Sequence, residues 1–552
     1  MSYVLAIGFV SIFILFHSSF KSESLETPKV SKAVQPNAST ENDKVISSGL
    51  NRMADNYNKS SNSSSEGTIR NFNPAEYVAM TNESKNSSSE GSSDAIGESF
   101  GRIYSVDASQ TGSSGADTAF AQGPDTSGSG GGSAGSGGTA SNEVNDVNIS
   151  QPQLSTDVAA EQSIRLQHIL SFFKTPTKQF MPLGLYAMVD DIRNVERLKA
   201  LGQRGVILFH KYDSQQTIVD ALGDLRSARE AGVAILQNLP AEYLTEPKVV
   251  RVKIRGKEFW QPYIATLVKN DQILAWYLPE EVKLEDLDKL EQLGNIIRAT
   301  DTKHRPLITY IENAPPEYLK QVSGIVDAVV FGAYPSEFGD RPRIEIKRRI
   351  DWAYKSGVPV VIAALEALKG KFNWTRHKDV RFDAYLSLIS GAKGIMWYGY
   401  YQARPRPELL EAVLEVATEL NGPESLGEVL LSGKEPEALR CKNIEGRMYF
   451  HEEYNYATGK RPKPLKWLTS IQWTAREYKD YLYIFAVNTA QKVGATDDGG
   501  RELIVKVRFG PITTASLGVE VISEKRMISM SGNYFVDSFE PLGTHIYKIK
   551  LR

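Results

Sequence analysis

The chain has 552 residues, 64 basic and 66 acidic, giving a formal charge of −2 at neutral pH, and a single cysteine. So even a balance leaves no overall field for nucleic acid or for holding the whole protein on an anionic membrane. Cys441 alone excludes an intramolecular disulfide and a cysteine-based zinc cluster, and the length exceeds one hydrophobic core, so two folded domains plus unstructured sequence are expected.

Residues 1–20 open with MSYVLAIGFVSIFILF, almost wholly apolar from 3 to 16. That is the length of a signal-peptide core rather than of a full membrane span. The segment has no basic residue before Lys21 and a poor cleavage site, with Ser19 and Ser24 as its small residues. Two outcomes stay open: a removed signal peptide, or an uncleaved anchor attached to a membrane through residues 3–16 only. Either places the protein outside the cell or on its surface. Residues 21–160 are rich in Ser, Gly, Asn, Thr and Asp and culminate in DTSGSGGGSAGSGGTASNE (125–143). Such sequence buries too little apolar surface to offset the entropy of ordering it, so it reads as a disordered tether. Asn-x-Ser/Thr acceptors occur in it at Asn37, Asn58, Asn62, Asn82, Asn86 and Asn148.

From Leu183 to Tyr401 eight apolar runs recur: LGLYAMVDD (183–191), GVILFHKY (205–212), GVAILQNLP (232–240), ILAWYLPEE (273–281), PLITYIENAP (306–315), AVVFGAYPS (328–336), PVVIAALEAL (359–368) and GIMWYGYY (394–401). Between them VERLKALGQRG (195–205), IVDALGDLRSAREAG (218–232), KLEDLDKLEQLGNIIRAT (283–300) and IEIKRRIDWAYKSG (344–357) carry apolar residues at helical spacing. Continuous apolar runs suit parallel strands covered on both faces. Strand and crossover helix repeated eight times predict an α/β fold, a (β/α)8 barrel over residues 161–422. Beyond it, YLYIFAVNTA (481–490), ELIVKVRFG (502–510), GVEVISEKRMISMSG (518–532) and GTHIYKIKLR (543–552) alternate and are broken by turn residues. Residues 423–552 are therefore expected to form an antiparallel β-sandwich.

Active sites of such barrels lie at the strand C-terminal ends, which brings forward Glu280 and Glu281 after the fourth run and Glu366 after the seventh. Cleaving a glycosidic bond takes one carboxylic acid to protonate the leaving oxygen and one carboxylate to attack the anomeric carbon or activate water. A separation of roughly 5 Å gives retention and one of about 6.5–9.5 Å inversion. The competing account of Glu280 and Glu281 is a solvated pair opening the following helix, and that of Glu366 is a loop charge near Lys369 and Lys371. Aromatic residues crowd the same ends, and a sugar's C–H faces suit aromatic platforms. Trp397 and Tyr400 are the preferred stacking residues, with Trp276 and Tyr334 beside them. For Trp276 and Tyr277 core packing competes, because alternate strand residues point under the helices. Asp190, His210, Gln237, Asn238, Tyr310 and Glu312 close other runs with groups able to bond hydroxyls. Trp374 follows Asn373, itself a glycosylation acceptor, and Trp467 and Trp473 read as core or interdomain residues.

WYLPEE (276–281), FDAYLSLISGAKGIMWYGYY (382–401) and NYFVDSFEPLGTHIYKIKL (533–551) resemble a (β/α)8 glycoside hydrolase that carries its acid/base after strand four and its nucleophile after strand seven, followed by a β-sandwich. Where many such sequences read Trp-x-x-x-Asp-Glu-Pro, this chain has Glu280 for the Asp and Val282 for the Pro. Strand seven of many relatives ends in Gln where this chain has Glu366. The resemblance implies Glu281 as acid/base, Glu366 as nucleophile, Glu280 as the alternative at the first position, and retention. The expectation is an exported glycosidase with an oligo- or polysaccharide substrate and neither metal nor organic cofactor. The alternative is a glycan-binding or surface structural protein that does no chemistry.

Overall fold

In a computed structural model the described residues run from Thr156 to Leu551, apart from 175–177, 187, 189–190, 214–215, 247–248, 281, 313, 337–341, 369–373, 453–462 and 492–502. Residues 3–16, the acceptor asparagines of the tether, Asn373, Asp190 and Glu281 all lie outside them. No helix among the described residues is long and apolar enough to cross a membrane.

Eight parallel strands close a barrel: β1 (Leu183–Leu185), β2 (Leu208–His210), β3 (Ala234–Asn238), β6 (Ile273–Tyr277), β7 (Leu307–Ile311), β8 (Ala328–Ala333), β9 (Val361–Glu366) and β10 (Ile395–Tyr398), with β1 pairing β10. Each lies in one of the eight apolar runs. Between β3 and β6 the chain inserts a hairpin of β4 (Glu242–Glu246) and β5 (Val249–Lys253), which the sequence reading did not foresee.

Side chains alternate across each strand, as a period of two requires. Leu208, Leu236, Ala275, Ile308, Val330, Ala364 and Met396 fill the barrel, while Phe209, Ile235, Trp276, Phe331, Leu365 and Trp397 pack with the helices. Gly184 leaves room for this filling: a Cβ there would sit 2.3 Å from the Met396 sulfur and 2.6 Å from the Leu208 carbonyl oxygen.

The first described helix, α1 (Thr156–Leu170), starts a few residues inside the stretch expected to be tether. Ile169 together with Phe173 and Phe180 joins the apolar cluster inside the barrel. Arg165 anchors it by donating to the carbonyls of Ser323 and Val326 at 2.5 and 3.0 Å.

The outer helices are α2 (Val195–Gln203), α3 (Ile218–Ala231), α4 (Lys257–Leu267), α5 (Leu287–Thr300), α6 (Pro316–Ile325), α7 (Glu345–Lys355), α8 (His377–Ile389), the short α9 (Tyr400–Ala403) and α10 (Pro407–Asn421). Asn421 closes the ring, donating to the carbonyls of Met181 and Gly205 and accepting from the Met181 amide, all within 3.0 Å.

A helix, α11 (Leu426–Ser432), leads into the antiparallel strands β11 (Arg440–Glu445), β12 (Tyr449–Glu452), β13 (Lys463–Thr469), β14 (Ile471–Tyr478), β15 (Tyr481–Asn488), β16 (Val505–Gly510), β17 (Gly518–Ile522), β18 (Arg526–Ser529), β19 (Phe535–Phe539) and β20 (Thr544–Lys550). A five-stranded sheet, β14-β15-β20-β17-β18, faces a three-stranded one, β11-β16-β19, over a common core of Ile484, Val507, Phe509, Val519, Phe535 and Tyr547. Trp473 packs against that core. The sandwich leans on α8, where Tyr385 stacks on Phe485 at 6.3 Å and Arg381 donates to the Thr544 carbonyl at 2.6 Å.

Candidate active site at the barrel mouth

The fourth barrel strand, β6, ends at Tyr277, which points into the barrel, and three residues later Glu280 returns over the opening. One oxygen of its carboxylate, Oε2, accepts the Tyr277 hydroxyl at 2.9 Å and the Tyr186 hydroxyl as well. Burial raises this carboxyl above its ordinary value, while hydrogen bonds from Tyr186, Tyr277 and Tyr212 pull it back down without cancelling the rise. A carboxylic acid held this way keeps its proton to a higher pH than a solvated one. Its partner Tyr186 stays neutral: burial, followed by the Glu280 charge, pushes that hydroxyl well above its usual range.

Beneath these tyrosines lies His210, 0% exposed. Its ring stacks on Tyr186 at 4.6 Å and meets Tyr277 at 4.3 Å. Burial lowers its pKa to about 3, against a weaker opposing contribution from Asn238, so the ring is neutral. It acts as an aromatic floor rather than as a cation. Asn238 donates to the Asp213 carbonyl at 2.7 Å and so fixes the loop after β2.

The aromatic lining continues around the opening: Tyr186 lies 5.9 Å from Tyr310 and 5.6 Å from Tyr398, and Tyr398 lies 5.5 Å from Tyr334. Gly332 on β8 admits Tyr310, because a Cβ there would stand 2.6 Å from the Tyr310 hydroxyl and 3.0 Å from Cγ of Glu312.

Glu366 ends β9 in register with Tyr398 of β10. It shares the inward parity of Ile362 and Ala364 and is 1% exposed. Its Oε1 accepts the Ser336 amide at 2.8 Å and lies 3.8 Å from the Arg343 guanidinium. Glu280 and Glu366 are thus joined through the aromatic lining: Tyr186 bonds the first and packs on Tyr398, the strand neighbour of the second.

Of the residues singled out by sequence, the structure brings Glu280, Glu366, His210, Asn238, Tyr310 and Tyr334 to the inner side of the strand ends. Four others go elsewhere, and their assignment to substrate is corrected. Trp276, 0% exposed, points under the helices and donates its indole N–H to Asp301 at 2.8 Å. Trp397, 1% exposed, is likewise packed in the layer between strands and helices. Gln237 faces outward and donates to the Gln216 side chain at 3.0 Å. Tyr400 is buried with its hydroxyl on Asp191 at 2.5 Å, tying α9 to the chain before α2. The cause in the three strand residues is parity: beside each inward residue, Tyr277, Tyr398 or Asn238, its neighbour must face out. One face of the half-buried Trp374 ring is covered by the Arg406 guanidinium, 4.0 Å away.

Sequence reasoning passed over Tyr186, Tyr212 and Arg343. Counting in twos from Glu366 across the register would have selected Tyr398. Arg343 lies in a connection and left no periodic signal. Among the described residues no group of His, Cys, Asp and Glu is placed to hold a metal ion.

No family model and no curated protein matches the sequence. Solved structures to which the chain is similar include the α-amylase of Geobacillus thermoleovorans complexed with acarbose, at a TM-score of 0.43 and 9% identity over 67% of this chain and 98% of that one. A putative α-galactosidase/melibiase of Bacteroides fragilis gives 0.43 and 9% over 67% and 79%. A β-L-arabinopyranosidase of Geobacillus stearothermophilus in complex with arabinose gives 0.42 and 10% over 70% and 99%.

Proposed function

We propose that this chain is an exported glycoside hydrolase acting on an oligo- or polysaccharide, with Glu280 as the proton-donating acid and Glu366 as the ionised partner. The observation that carries the reading is the contrast between the two carboxyls at one barrel mouth. Glu280 sits among tyrosine hydroxyls where burial favours its protonated form, whereas Glu366, itself 1% exposed, has a backbone N–H and a guanidinium beside it that oppose the penalty burial sets on its anion. Two carboxyls whose surroundings push them apart can divide acid and base roles.

In this mechanism Glu280 gives its proton to the glycosidic oxygen as the bond to the anomeric carbon lengthens. Tyr186 and Tyr277 then hold the carboxylate that remains. Glu366 attacks the anomeric carbon, a water activated by Glu280 releases the sugar, and configuration is retained. The tyrosine lining supplies ring faces for the sugar's C–H groups and hydroxyls for its edges. Residues 3–16 export the chain, removed afterwards or kept as its only membrane attachment, with 21–155 as a spacer.

The test is incubation of the full chain with a panel of glycans, with proton NMR of the first anomer released. Release of a sugar in its original configuration is expected; release with inversion replaces attack by Glu366 with activation of water. A second reading, a glycan-binding barrel without turnover, is favoured by the 1% exposure of Glu366, since a nucleophile must reach carbon. Binding of a glycan without release by the parent chain would establish it.

A further inference from the structure

Behind Glu366 lies a buried ionic cluster that the proposed reaction does not use. Arg343, before α7, is 7% exposed and reaches Asp383 of α8 through Nη1, Asp379 of α8 at 3.0 Å through Nη2, the Ser336 hydroxyl at 3.1 Å and Glu366 at 3.8 Å. One guanidinium therefore faces three buried carboxyls, and how their charge is shared decides the state of Glu366.

Asp379 has a cation of its own, since Arg376 grips it through Nε at 2.9 Å and Nη2 at 2.8 Å. Burial would raise its carboxyl, but Arg343 and Arg376 outweigh that and hold it below the usual range. Asp383 goes the other way: burial pushes it up to about 8, against the pull of Arg343 and reinforced by Glu366 and Asp379. Its Oδ1 is buried without a hydrogen-bond partner, a position far costlier for a bare anionic oxygen than for a neutral acid. Asp379 is shared between Arg376 and Arg343, and with Asp383 pushed up to about 8 the Arg343 guanidinium also faces Glu366, 3.8 Å away. At the same end of α8, His377 lies 2.9 Å from Glu415, Arg381 pairs with Glu419 at 3.1 Å, and the Lys378 ammonium is disfavoured by burial and then by Arg376. Arg343 is also fixed from the sandwich, its backbone N–H donating to the Gln491 side chain at 3.1 Å.

We propose that Arg343 is the positioning residue of Glu366: it keeps that carboxylate ionised and, through Ser336, aims it into the barrel mouth. This rests on the reading of Glu366 as a reacting carboxylate. The guanidinium fork spans Ser336 and both α8 carboxyls at once, a geometry that an ammonium cannot copy.

The experiment follows the carboxyl carbon of Glu366 by NMR in full-length protein labelled with 13C at glutamate Cδ, its signal assigned as the one lost in Glu366→Gln. Parent, Arg343→Gln and Arg343→Lys are titrated, with circular dichroism to check folding. In Arg343→Gln the Glu366 midpoint is expected to rise by at least one pH unit, and the acidic limb of kcat/KM to rise with it. Arg343→Lys, which keeps the charge but not the fork, moves both in the same direction by less, and decides the matter if Arg343→Gln does not fold. An unmoved Glu366 midpoint in a folded variant overturns the proposal. A parent chain that cleaves no glycan defeats the hydrolase reading instead, and the titration still decides what Arg343 does to Glu366.

Discussion

The hydroxyls of Tyr186 and Tyr277 lie 3.0 Å apart and meet on the same oxygen of Glu280. Both donate to the charged form of that carboxyl, so each lowers a pKa that burial has raised. Removing one donor must raise it further. If Glu280 is the acid, the alkaline limb of kcat/KM reports its loss of the proton. Tyr277→Phe is therefore expected to move that limb to higher pH by about one unit, the size of one hydrogen bond to a charged group. A pH–rate profile checks it, and a shift to lower pH would contradict the assignment.

Gly332 makes a second, steric prediction. Alanine there would put a methyl 2.6 Å from the Tyr310 hydroxyl, so the ring must swing into the mouth or the strand must shift. Small misplacements at a reacting centre cost about 10- to 100-fold. Gly332→Ala is expected to lose activity on that scale while keeping most of its thermal stability, measured as kcat/KM beside Tm.

The Trp276 correction is testable as stability. Asp301 accepts the Trp276 indole and pairs with Arg305 at 3.0 Å, and Asp301 and Arg305 are both buried. Asp301→Ala strands the Arg305 charge, for which removal of one partner typically costs about 3–5 kcal/mol. Denaturant unfolding should show that loss with KM for a glycan unchanged. A raised KM at unaltered stability would return Trp276 to the substrate.

In the sandwich, Asp537 accepts from Arg526 at 2.6 Å, Tyr547 at 2.8 Å and His545 at 2.9 Å. Burial alone would raise this carboxyl, but hydrogen bonds from His545, Arg526 and Tyr547 outweigh it and hold it well below the usual range. A depressed folded pKa gives stability that is whole above the unfolded value, about 3.9, and is lost as pH falls from there through the folded value. The Tm gap between parent and Asp537→Asn should be wider at pH 7 than at pH 3, where part of this stability is already lost. An equal gap at both would show that the cluster adds no charge-dependent stability.

The architecture was readable because its signals are local. Eight apolar runs mark eight strands, and helix α3 stops where Gly232 takes a left-handed backbone at φ +71°. The site was only half readable. Strand-end position nominated Glu366 and the Glu280–Glu281 pair, but a continuously apolar strand hides which alternate residues face inward. Trp276 and Trp397 were consequently placed one residue off the true lining, at Tyr277 and Tyr398. Tyr186 meets Glu280 across 94 residues of chain, and Arg343 comes from a connection, so closure of the barrel is what makes either a partner of the site. The β4–β5 hairpin was missed because it interrupts the strand-and-helix period.

The most direct test is a double-mutant cycle on glycan turnover with the parent chain, Glu280→Gln, Glu366→Gln and the double variant, with Glu281→Gln run alongside. Groups that act as one unit are non-additive. Each single change at 280 or 366 is expected to cost about 100-fold or more, the double no more than the worse single, and Glu281→Gln far less than either. Parent-like turnover by Glu280→Gln or Glu366→Gln would contradict the pairing of these two carboxyls across the barrel mouth.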